Sequence, residues 1–185
     1  YRLTAHLGLA IAIYGYVLWL ALGLLYPAQG KVEWAPLRRG ATAVAALVFF
    51  MTLTGGFVAG TKAGYAFNTF PLMNGRFVPE GIFGMAPWWV NLFENVATVQ
   101  FNHRLVAYLL LLAILVFWWR TRRFELPSRA QWLLHGLLAV LVVQVGLGIA
   151  TLIYIVPVPL GAAHQAGALA LLTLALAAVH ALRAE

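Results

Sequence analysis

Five histidines, His6, His103, His135, His164 and His180, carry most of the chemistry available to this chain. His103 stands in "NVATVQFNHRLVAY", an apolar stretch that also holds Gln100, Asn102 and Arg104. Ionisable side chains are costly where lipid offers no partner, and there they mark function by default. No Asp or Glu falls inside the long apolar stretches, which disfavours a hard-cation or di-iron site. Cysteine is absent, so there is neither a disulfide nor a thiolate metal site. Two neutral imidazoles remain as ligands, and at matching depth on two helices of one bundle they form the usual axial pair of a six-coordinate haem.

His103 and His164 meet that requirement. Counted from a helix start at Ala97, His103 lies about 9 Å along its axis, and His164 lies about four residues into its own helix from the same face. Arg104 next door could form a two-pronged contact with a haem propionate. Gln100, one turn before His103, could fix a ligand or close a helix contact. His6 sits at the same depth with no third partner among these helices. His135 and His180, near the opposite face, give a rival reading, a second haem pair in a two-haem transmembrane electron carrier of the cytochrome b561 kind; otherwise they are surface histidines.

The elements that must position these side chains are membrane helices. The chain has 185 residues, 63% hydrophobic and 9% charged, and five segments are long enough to span a bilayer: roughly 3–26, 41–60, 97–119, 132–156 and 160–182. Runs such as "LLLLAILVFWW" are apolar on every side, which excludes the alternating pattern of a β-barrel. The fold class is therefore all-α integral membrane, with four of the five helices bundled around the cofactor and one left over from a preceding bundle. On that reading 1–40 hold the left-over helix and its loop, and 41–185 form the cofactor-binding half.

The net charge of +7 does not indicate nucleic acid, because the basic residues gather at membrane boundaries. Lys31, Arg38, Arg39, Arg120, Arg122, Arg123, Arg129 and Arg183 fall on one side, the cytoplasmic or matrix side. Arg2, Lys62, Arg76 and Arg104 are left for the other. The 61–96 connection is then external and the C-terminus internal. That connection has 36 residues, eight of them aromatic, too apolar for disorder and longer than a linker needs. It is expected to fold onto the helices as a lid, with "PWWVNLFE" as a short interfacial helix and Trp88, Trp89 and Phe93 at headgroup level. The connections 27–40 and 120–131 read as ordinary loops.

An internal echo links "AHLGLAIAIYG" from Ala5 with "AHQAGALALLT" from Ala163, as though the first and fifth helices were equivalent members of two tandem four-helix units. With Tyr1 directly before a spanning helix, the chain reads as part of something longer. "QVGLGIAT", with Gln144, Gly146 and Gly148, and "TGGFVAG" in the second helix read as sites of close packing or of clearance for a flat porphyrin.

At "AGYAFNTFPLMNGRFVPEG", "NLFENVATVQFNHRLVAY", "HQAGAL" and "RLTAHLGLAI" the chain resembles haem A synthase of the proteobacterial and mitochondrial type, over essentially its whole length. The resemblance implies an eight-helix protein of two four-helix halves, of which this chain looks like helices four to eight. It implies haem b held by His103 and His164, and haem O as substrate in the other half with His6 as one axial ligand. The second substrate-side histidine and a neighbouring glutamate would lie on helices this sequence does not contain, so the chain alone should not complete catalysis. The implied reaction oxidises the C8 methyl of haem O to a formyl, for cytochrome oxidase assembly. Implied partners are membrane lipid, the farnesyltransferase that makes haem O and an electron donor; a homo-oligomer is compatible. The host membrane would be the bacterial cytoplasmic or the mitochondrial inner membrane. Cysteine pairs found in bacillus-like members are missing here.

Overall fold

A computed structural model describes residues 1–26 and 34–183, and Lys31 therefore lies outside the described residues. Five helices are long and apolar enough to cross a membrane: α1 (Arg2–Leu25), α2 (Ala35–Thr61), α4 (Val96–Thr121), α5 (Ser128–Ile153) and α6 (Val158–Ala181). A single turn, α3 (Ala63–Ala66), follows α2. Prolines punctuate the starts: Pro36 lies in the first turn of α2, and Pro127 and Pro157 stand immediately before α5 and α6. Asn95 caps α4, its side chain accepting from the Thr98 N–H at 3.0 Å. Helix α2 starts six residues before the expected span and α5 four, so Arg38, Arg39 and Arg129 sit on helix rather than loop. The apolar run marks what must be buried in lipid, whereas the backbone bonds continue until a proline ends them.

Helix α2 touches α4 and α6, and α5 touches α4 and α6, so the four form a ring in which α4 and α6 stand on opposite corners. Helix α1 lies outside the ring against α2 and α6. Small residues permit that approach: Gly8 faces Leu53, Gly56 faces Thr4, and Gly15 faces Leu176.

The packed core is not spread evenly along the ring. Val44 and Val48 of α2, Leu110, Ile114 and Phe117 of α4, Leu134, Leu137 and Leu141 of α5, and Leu171, Leu172, Ala175 and Ala178 of α6 are all buried. They occupy the half of the bundle nearer the arginine-rich ends. Towards the long connection, α5 has no buried residue between Leu141 and Leu152, and α6 has none before Leu171.

That connection folds down against α4, and Met73 within it is buried. The expected interfacial helix is a short 3₁₀ helix, Trp88–Leu92, following Pro87. Trp88 and Trp89 are exposed as expected, but Phe93 is not placed at the surface with them. It packs inward, its ring centroid 5.2 Å from that of Phe57 and 5.8 Å from that of Tyr1. Asn91 is fully buried; its side chain accepts from Met85 N–H at 2.9 Å and donates to the carbonyls of Met85 and Trp88.

Candidate functional site

His103 lies seven residues from the start of α4 and His164 six from the start of α6, about 10 and 9 Å along their axes. These are the opposite corners of the ring, and His103 lies within electrostatic reach of His164. They lie at the end of the bundle where α5 and α6 contribute no buried side chains over about three turns.

Two glycines make room beside the rings. A methyl group on Gly55 of α2 would come within 3.4 Å of His103 Cε1, and one on Gly148 of α5 within 2.9 Å of His164 Cε1. The second distance is shorter than carbon atoms tolerate, so His164 occupies its position only because residue 148 has no side chain. Beside it, Gly146 faces open space.

The protonation of His103 follows from its neighbour. Thr54 Oγ1 lies 2.7 Å from the Met51 carbonyl oxygen, which can only accept, so the single hydroxyl proton is spent there. The same Oγ1 is 2.8 Å from His103 Nδ1 and must accept from it. Nδ1 then carries the ring proton, and Nε2 keeps its lone pair for a metal, the usual division of labour in a ligating histidine. His164 is held differently. Gln144 of α5 donates to its backbone carbonyl at 2.9 Å, across the helix interface, while the ring Nδ1 is buried without a partner. Gly167 must stay small, since any side chain there would collide with Gln144 Oε1.

Gln100 is buried one turn before His103, with its Oε1 unpartnered. Arg104 has a different occupation from the expected propionate contact. Its Nη2 donates to the carbonyls of Phe67 and Thr69 at 3.0 and 2.8 Å, and its Nη1 to those of Pro71 and Leu72 at 3.3 and 3.4 Å. Four carbonyls of the connection thus engage both terminal nitrogens, and only Nε is free. Arg104 ties the connection to α4 one residue after the site histidine.

His6 is exposed on α1, on the side turned away from Thr4, Gly8 and Gly15, which pack against the ring. The other two histidines do not pair. His135 is exposed, bonded through Nδ1 to the Gln131 carbonyl at 2.7 Å and edge-on to Trp118 of α4. His180 is not a surface residue: it is 1% exposed and packs edge-on against Trp19 of α1, because the last turn of α6 is covered by α1. The two rings thus lie against different helices, and the two-haem carrier reading has no support.

Sequence reasoning missed Thr54 as a partner of His103. Its signal was present in "TLTGG", a hydroxyl residue directly before two glycines in a helix otherwise built to face lipid.

The cytochrome oxidase assembly protein family model matches residues 1–176. The heme A synthase of Nitrosospira multiformis is 50% identical over 188 residues, covering 100% of this chain and 53% of that protein. Human heme A synthase is 46% identical, covering 99% of this chain and 45% of the relative. That of Parvibaculum lavamentivorans is 47% identical, covering 98% and 52%. This chain belongs to the cytochrome oxidase assembly protein family. It is a multi-pass membrane protein that spans about half the length of the curated relatives it matches. No solved structure matches it.

The residues present fit the haem that this family uses. His103 has its Nε2 lone pair left free by Thr54, and His164 has a buried nitrogen without a partner. Glycines stand beside both rings where side chains would intrude on them. Among the described residues no three His, Cys, Asp or Glu side chains gather to hold a metal ion.

Proposed function

We propose that this chain is the haem b-binding half of a haem A synthase, an oxidoreductase that converts haem O to haem A by oxidising the C8 methyl to a formyl with oxygen and external electrons. The observation that supports the reading is that His103 and His164 stand on opposite corners of the ring, within electrostatic reach, where α5 buries nothing between Leu141 and Leu152 and α6 nothing before Leu171.

His103 and His164 would hold haem b, which would supply one-electron transfer when bound. Thr54 orients His103 and keeps its proton on Nδ1; Gln144 fixes the α6 backbone at His164. Arg104 holds the long connection down beside the site, and so helps keep water away from it. Gln100 offers its unpartnered carbonyl oxygen to the same neighbourhood.

The substrate, haem O, belongs in this reading to the part of the enzyme outside these 185 residues, with His6 contributing an axial ligand from the exposed face of α1. Residues 1–40 would be the last helix of that half with the connection leading into α2, and the chain by itself would be catalytically incomplete. By the basic-residue asymmetry the 61–96 connection faces the periplasm or intermembrane space, with the C-terminus on the cytoplasmic or matrix side. A farnesyltransferase would deliver haem O, and a membrane or soluble reductant would feed haem b.

The test is extraction and chromatography of pigments from cells carrying or lacking the full-length gene. Loss of haem A with accumulation of haem O supports the assignment; unchanged haem A defeats it.

A further inference from the structure

The haem pair leaves one buried histidine unused. His180 closes α6 at 1% exposure, and neither ring nitrogen has a hydrogen-bond partner. A neutral imidazole always carries one N–H, so a buried donor goes unmet whichever tautomer is present. Arg183, one turn on, has its Nε buried and unpartnered as well. Its terminal nitrogen reaches α1, 3.9 Å from where a Gly23 side chain would begin. Arg129 of α5 comes to the same place, its guanidinium carbon 3.6 Å from the ring centre of Tyr26 at the end of α1. The two guanidinium groups feel one another, and both are felt at His180. Among the described residues the ion pair Arg76–Glu80 lies in the long connection, and none reaches these arginines.

Membrane topology and the dipole of α6 account for cations at this boundary. They do not account for three cation-bearing or donor side chains from two helices turned onto the end of a third, with donors buried and unmet. We propose that His180, Arg183 and Arg129 form a binding site for a phosphate group at the arginine end of the bundle. A tetrahedral anion presents several acceptor oxygens at once and matches guanidinium donors closely. Arg129 is half-buried and Tyr26 exposed, so the anion enters from the headgroup layer, with His180 the deepest donor. The phosphate is either a lipid headgroup of the adjoining leaflet or free phosphate.

Native mass spectrometry of the full-length protein in detergent separates the cases, with phosphatidylglycerol, phosphatidylcholine and inorganic phosphate as probes. Wild type should retain phosphatidylglycerol, and the Arg129→Gln/Arg183→Gln variant should retain it about tenfold less, the loss expected for removing charge-assisted bonds. His180→Phe should weaken retention without a change in helicity or dispersity. If the double variant does not fold, Arg183→Gln alone carries the same expectation at smaller size. Displacement of lipid by inorganic phosphate, or phosphate binding lost in the variants, identifies free phosphate as the occupant and also supports the site. Equal binding of every probe to wild type and to all variants overturns it.

Discussion

The two ends of one helical ring are built on opposite principles. At the arginine end, leucines, alanines, Ile114 and Phe117 interlock, and His180 packs edge-on against Trp19. At the other end the same helices carry His103, His164, Gly55 and Gly148, and α5 and α6 bury nothing along three turns. Lipid supplies no hydrophobic drive between helices, so packed contacts must hold the ring together. One end provides them from its own side chains; on the proposed reading the other would take them from a flat apolar group. Depth in the membrane is therefore not what distinguishes a haem histidine in this chain. His135 and His180 also lie near one face, but they pack against different helices, α4 and α1.

The sharpest way to break this contrast is to remove ligands at each end of full-length protein. His103→Ala and His164→Ala should each abolish most of the haem b measured by pyridine haemochrome assay, while His135→Ala leaves it unchanged. Thr54→Val keeps the volume but removes the acceptor for His103 Nδ1. Loss of such an outer partner costs about 10- to 100-fold in metal affinity, read as faster haem transfer to a haem-free acceptor protein. Gly148→Ala drives a methyl into the His164 ring and should cost about 1 to 3 kcal/mol of haem binding. Gly55→Ala, with ordinary contact distance, should cost less, and Gly146→Ala, facing open space, nothing measurable. The smallest effect on haem is expected from Arg104→Gln, which should leave the ligands in place and instead release residues 67–72. Limited proteolysis would then cut the connection faster than in wild type.

Much of the architecture was legible before any coordinates. Lipid demands long uninterrupted apolar helices, so the five spans stand out, and with so few polar residues inside them His103 and His164 stand out too. The glycines were visible as small residues, but which of them faced a ring was not. Gly148 and Gly146 are two residues apart, and only the crossing of α5 with α6 decides that one meets His164 and the other meets nothing. The partners of Arg104 were hidden for a similar reason. A guanidinium beside a ligand histidine fits a propionate on chemistry alone, whereas the fold brings the carbonyls of Phe67, Thr69, Pro71 and Leu72 to it first. The burial of His180 depended on α1 lying across the end of α6, a contact between residues more than 150 positions apart that no local pattern announces.

The account stands most directly on a single haem shared by α4 and α6. Electron paramagnetic resonance of the oxidised full-length protein, produced in cells that make no haem O, should show one low-spin, bis-imidazole haem b signal. Either His103→Ala or His164→Ala should convert any haem that remains to high spin. Persistence of the low-spin signal in either variant would contradict the pairing of these two histidines.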